Sequence, residues 1–119
     1  MSDPADTTTD ENSPANADLV FHVDGELVPA DEASVNVADR GFLYGDAAFE
    51  TMRAYGGEIF AWDAHANRLQ ETCSVLELPH GLTDDDLYGR ITDVLAANEL
   101  SEAYVRLSIT RGVQPGKLT

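Results

Sequence analysis

Lysine is nearly missing from these 119 residues: Lys117 is the only one, and the rest of the seven basic residues are arginines. Against them stand 22 aspartates and glutamates, giving a formal charge of −15. A surface of that sign repels nucleic acid and anionic lipid, so neither nucleic acid nor membrane is an expected partner. Cysteine occurs once, as Cys73, which excludes an internal disulfide, and no Cys/His cluster has zinc-site spacing. No apolar run approaches the ~20 residues of a membrane span. The N-terminus has neither the charged nor the apolar region of a signal peptide, so a cytoplasmic location is expected. Acidity with so little lysine and no long acidic block suggests a protein kept soluble at high salt. A halophilic source is the reading, with an ordinary acidic cytosolic protein as the plain alternative.

The length suits one small domain with a modest core. Residues 1–17 are small, polar and acidic without apolar period. They are expected to form a disordered tail, because nothing in them offsets the entropy of ordering. Residues 19–23 and 26–28 then read as two strands joined by Asp24-Gly25, a pair suited to a type I′ turn, with Pro29 closing the second. His22 shares a strand face with Val20 and reads as structural. A short strand is expected over 33–37.

From Ala47 the pattern is extended: Phe49, Thr51, Arg53 and Tyr55 share one face, and Ala48, Glu50, Met52 and Ala54 the other. Gly56-Gly57 turns the chain into a returning strand over 58–60. A helix is expected over 63–76, because Trp62, His65, Leu69, Cys73 and Leu76 recur at helical steps and make one buried stripe. Cys73 is then a small core residue, and His65 a core histidine. Arg68 sits at the edge of that stripe, where its guanidinium can lean out towards a neighbouring site.

Thr83-Asp84-Asp85-Asp86 is a capping box with Asp in the last position, and acids suit the positive end of a helix. The aspartate run is thus explained without a metal. Leu82 and Leu87 have the spacing of a hydrophobic staple, Leu87, Ile91, Val94 and Leu95 form the apolar face, and Asn98 is the expected C-terminal cap. A last strand runs over 103–111, with Val105, Leu107 and Ile109 on the core side and Tyr104, Arg106, Ser108 and Thr110 opposite. The fold class expected is α+β: one small antiparallel sheet from the hairpin, the 47–60 pair and the 103–111 strand, with two amphipathic helices on one side.

The densest chemistry lies in 39–53, where Gly41 and Gly45 mark a turn that leads into the Phe49 strand. Arg40 in that turn is expected to pin the loop through Asp39 or Asp46. A turn feeding a strand with arginine and aromatics on one face can wall a pocket for an anionic ligand. The same pattern also suits a strand with a solvated polar face.

The run DRGFLYGDAAFETMRAYGGEIFAWDAHANRL resembles the N-terminal part of the class IV aminotransferases, the fold-type IV pyridoxal-phosphate enzymes. These include branched-chain aminotransferases, D-amino-acid aminotransferases and aminodeoxychorismate lyases. The likeness extends over about residues 20–112 and rests on the glycine turn, the strand and the His65-x-x-Arg68-Leu69 helix coming in order. It implies an N-terminal small domain over 18–112 and the start of an inter-domain segment over 113–119. The second domain is absent from this stretch.

The resemblance implies pyridoxal 5′-phosphate as cofactor, with Arg68 matching the family's phosphate-binding arginine. An arginine suits a phosphate because its fork of donors keeps its charge at any working pH. Tyr44, Phe49, Tyr104 and Arg106 match positions that line the substrate pocket, so Arg68 is expected to face these four across a cleft. The family's Schiff-base lysine is expected beyond Thr119. Lys117 follows Pro115-Gly116 in a loop and is read as a structural or surface residue, so this stretch alone should be inactive.

The D-amino-acid branch carries an Arg-x-His pair after a Thr-Arg-Gly segment. Here the chain continues Gly112-Val113-Gln114-Pro115-Gly116-Lys117-Leu118, so both positions of the pair are apolar or empty, which argues against that branch. The function implied is transfer of the amino group of a branched-chain L-amino acid to 2-oxoglutarate, in a homodimer. The alternatives are an aminodeoxychorismate lyase, or a non-catalytic module that dimerises or binds a partner.

Overall fold

The computed structural model describes residues 18–114, in two compact units that divide after Ser34. The tail expected over 1–17 and the segment 115–119, Lys117 included, lie outside the described residues.

The first unit is a hairpin, β1 (Val20–Val23) against β2 (Glu26–Pro29), with His22 opposite Leu27. Asp24 and Gly25 both have positive φ, 51° and 94°, as a type I′ turn requires. The hairpin is a two-stranded sheet of its own, so the single sheet expected from the sequence is in fact two. No strand forms over 33–37 either: an Asn-initiated turn begins inside that stretch, with Asp39 N–H bonded to Asn36 O at 2.9 Å and Ala38 N–H to the Asn36 side chain at 2.8 Å.

The second unit begins with a five-residue helix, α1 (Arg40–Tyr44), where a plain turn was expected. Asp39 caps it, accepting from Gly41 N–H at 2.7 Å, and Gly45 ends it in the left-handed region at φ 68°. Next come β3 (Ala47–Tyr55), β4 (Glu58–Ile59), α2 (Trp62–Val75), α3 (Asp84–Ala97) and β5 (Ala103–Thr110). The sheet order is β4–β3–β5, all antiparallel.

The alternation along β3 settles which face is inside. Ala48, Glu50, Met52 and Ala54 are buried, while Phe49, Thr51, Arg53 and Tyr55 are exposed. Both long helices pack on the buried face, as expected. Leu69 and Cys73 of α2 meet Ala48 and Leu87, and Ile91 and Leu95 of α3 meet Met52, Ala54 and Ile59. Burial pushes the Cys73 thiol up, which suits a core residue and not a nucleophile.

The capping box of α3 is made in both directions. Thr83 Oγ1 accepts from Asp86 N–H and Asp86 Oδ2 from Thr83 N–H, each at 3.0 Å. Those bonds hold the Asp86 carboxyl below its ordinary range. At the other end the Asn98 amide donates to Val94 O at 2.9 Å.

Candidate functional site

The register of β3 on β5 builds a cluster on the exposed face. Phe49 stands opposite Ser108, Thr51 opposite Arg106, and Arg53 opposite Tyr104. The Arg106 guanidinium lies 4.1 Å from the centre of the Phe49 ring. Arg53 sits between two tyrosines, 4.4 Å from the Tyr104 ring centre and 5.1 Å from that of Tyr55, and donates from Nη1 to Tyr104 Oη at 2.9 Å. Two arginines thus lie over three aromatic rings. Their charge is kept while part of their hydration is replaced by π faces. A tyrosine that accepts from an arginine still has its own O–H to donate. The face therefore offers two cations, a phenol donor and apolar rings, the mixture that suits an organic carboxylate.

Of the four residues expected at a substrate pocket, Phe49, Tyr104 and Arg106 share this face. Tyr44 ends α1, half exposed, and its ring lies 5.2 Å from the Arg40 guanidinium. Arg53 is expected from the sequence as a strand-face residue but not as a site residue; its signal is its place on the face shared with Phe49 and Thr51.

Arg68 is on the other side of the sheet. Its Nε donates to Glu50 Oε2 at 2.8 Å and its Nη2 to Glu50 Oε1 at 2.7 Å, and His65 Nδ1 meets the same Oε1 at 2.7 Å. Glu50 belongs to the buried face of β3, with a side chain 6 % exposed. The sheet therefore stands between Arg68 and the Phe49–Arg106 pair, and the single cleft expected from the sequence is not how these side chains are arranged. The two groups can be joined only round a rim: β4 pairs with β3 at Ala54 and Tyr55 alone. Along 48–53 no strand among the described residues covers that edge.

Glu50 is what the sequence reading missed. An acid in the apolar alternation Ala48, Glu50, Met52, Ala54 was the available signal, since a buried carboxylate needs a paired cation. The Arg68 fork, and the His65 bond behind it, lower its pKa to about 2. Arg68 in turn is raised by Glu50.

The glycine turn is braced by a third cluster. Arg111 Nε donates to Asp46 Oδ2 at 2.6 Å, and its other nitrogens reach Leu76 O and Glu77 O at 2.8 and 3.0 Å. Arg40 is at 3.8 Å from the same Asp46 oxygen. The pin expected of Arg40 is therefore held chiefly by Arg111, which also lowers the Asp46 carboxyl.

A dianionic phosphate needs fixed donors with a free edge. Arg68 has one: its side chain is 65 % exposed although the carboxylate it grips is buried. Among the described residues no group of three or more His, Cys, Asp or Glu side chains could hold a metal, and no helix is long and apolar enough to cross a membrane.

Known proteins resemble this chain in sequence and in fold. The family described as amino-transferase class IV matches residues 47–118. A provisionally named branched-chain-amino-acid aminotransferase of Methanocaldococcus jannaschii is 38% identical over 95 residues, which is 80% of this chain and 33% of that protein. A D-alanine aminotransferase of Staphylococcus haemolyticus is 32% identical over 78% of this chain and 33% of its own length. The crystal structure of a branched-chain amino acid aminotransferase from Escherichia coli superposes with a TM-score of 0.72 at 30% identity, covering 81% of this chain and 33% of that one. The chain thus spans about a third of the length of these relatives. Class IV aminotransferases use pyridoxal phosphate. By sequence and by fold, this chain belongs to the class IV aminotransferases.

Proposed function

We propose that this chain is the N-terminal part of a pyridoxal-phosphate enzyme that moves the amino group of a branched-chain L-amino acid to 2-oxoglutarate. The observation that carries the substrate reading is the Phe49–Arg106 contact at 4.1 Å, beside the Arg53–Tyr104 bond. An apolar ring against a guanidinium can receive an aliphatic side chain and a carboxylate together.

Pyridoxal phosphate, when bound, supplies an electron sink for the carbanion formed at the amino acid's α-carbon. The chain's own residues bind and orient. Arg68 holds the phosphate with donors that do not titrate. Arg106 and the Tyr104 hydroxyl hold a substrate carboxylate, and Arg53 fixes that hydroxyl by donating to its oxygen. Phe49 and Tyr44 line the apolar side. The proton-moving lysine is assigned to sequence beyond Thr119. A ligand touching both Arg68 and Arg106 would have to pass round an edge of the β4–β3–β5 sheet. A homodimer and a cytoplasmic location complete the reading.

The relatives include both a branched-chain-amino-acid aminotransferase and a D-alanine aminotransferase. The reading against the D-amino-acid branch rests on the sequence 112–118, Gly-Val-Gln-Pro-Gly-Lys-Leu, which holds no Arg-x-His pair. The test is an assay of the complete gene product with leucine and 2-oxoglutarate, with D-alanine and 2-oxoglutarate, and with aminodeoxychorismate. Turnover of leucine alone supports the reading. Pyruvate release from aminodeoxychorismate would make the protein a lyase, and D-alanine turnover would overturn the L assignment.

A further inference from the structure

We propose that Glu50 is a positioning residue for the cofactor phosphate, acting through Arg68; the inference rests on the reading of Arg68 given above. Arg68 comes from the exposed side of α2, and an unrestrained arginine there samples many rotamers. Glu50 removes that freedom. Its two oxygens take Nε and Nη2 in a paired fork at 2.8 and 2.7 Å, so the plane of the guanidinium is set by a strand of the core sheet. Nη1 has no hydrogen bond among the described residues, and in that plane its direction is fixed as well.

His65 braces the carboxylate from behind. An ionised carboxylate only accepts, so His65 Nδ1 carries the proton in its 2.7 Å bond to Oε1. The 3.4 Å approach of His65 Nδ1 to Arg68 Nη2 is then two donors converging on one oxygen, not a bond between them. The paired charges of Glu50 and Arg68 nearly cancel. What the pair presents to an anion is therefore an aimed donor more than a net field, and the aim depends on Glu50.

The alternative is that Glu50 merely satisfies a cation and competes with phosphate for it. The complete gene product, stripped of cofactor, separates the two when titrated with pyridoxal phosphate and with pyridoxal, which lacks the phosphate. The readout is the ratio of the two dissociation constants, which loss of general packing does not move. Glu50→Gln should cut the preference for the phosphate form about tenfold, the scale of one charge-assisted hydrogen bond. In an Arg68→Ala background the same substitution should have no further effect.

An unchanged or increased preference in Glu50→Gln overturns the proposal, and so does an equal fall in the Arg68→Ala background. If Arg68→Ala by itself leaves the ratio unchanged, it is the phosphate reading of Arg68 that fails. Should Glu50→Gln unfold, seen as loss of pyridoxal binding too, Glu50→Asp decides. It keeps the charge but withdraws the oxygens by one methylene, and must lower the ratio while pyridoxal binding holds; an unchanged ratio overturns the proposal.

Discussion

Gly41 and Thr110 meet where any side chain at 41 would have to sit. A Cβ on Gly41 would lie 2.6 Å from Thr110 Cγ2 and 2.8 Å from Thr110 Cβ. Asp39 ties the two together, its Oδ1 accepting from Gly41 N–H and its Oδ2 from Thr110 Oγ1 at 2.9 Å. The short helix carrying Tyr44 is thereby seated on the end of β5, the strand carrying Tyr104 and Arg106. Gly41→Ala is expected to destabilise the domain by about 1–3 kcal/mol, the usual cost of overpacking. Urea unfolding measures it. Thr110→Ala should not rescue the variant, because the Thr110 Cβ itself is in the way; full rescue would contradict the contact.

The buried ion cluster gives a pH dependence of known sign. The Glu50 carboxyl is held at about 2 against 4.5 for a free side chain. A depressed acid contributes stability that is fully present above its unfolded pKa and is lost as pH falls towards its folded one. The cluster's contribution should therefore fade from about pH 4.5 down to about pH 2. Asp46 and Asp86 are lowered too, so the parent protein alone does not isolate it. The difference between parent and Glu50→Gln does: their urea midpoints should stand apart at neutral pH and converge on acidification. Curves that stay parallel would show that Glu50 is not the titrating group.

The charge of −15 sets a third expectation. Salt shortens the reach of like-charge repulsion from ~10 Å at 0.1 M to ~3 Å at 1 M. If the composition reflects a salt-rich setting, far-ultraviolet circular dichroism should show a rising thermal midpoint as KCl goes from low to molar concentration. An equal midpoint at both would leave an ordinary acidic protein.

Local patterns were readable, and packing between distant elements was not. The hairpin turn at Asp24-Gly25, the two-faced alternation of β3 and β5, and the Thr83–Asp86 box are each set by a few adjacent residues, and each appears as read. The separation of the hairpin into its own sheet depends on pairing across the chain, which no local period encodes. The same holds at the site. Phe49, Tyr104 and Arg106 share a face because alternation decides the side each residue takes, whereas the register that sets Thr51 opposite Arg106 was not readable. Glu50 beneath Arg68 joins residues 18 apart on a strand and a helix, and Arg111 with Asp46 joins residues 65 apart. An acid among alanines and a methionine hinted at the first. Nothing in the sequence around Arg111 pointed to the carbonyls of Leu76 and Glu77.

The central claim is that the Arg68 guanidinium, held against β3, is where this chain takes hold of its cofactor. Its most direct test is the affinity of the cofactor-free complete gene product, parent and Arg68→Ala, for pyridoxal phosphate and for pyridoxal, followed by absorbance. The expected result is a loss of at least about tenfold for the phosphate form alone. Equal affinities of parent and variant for pyridoxal phosphate would contradict it.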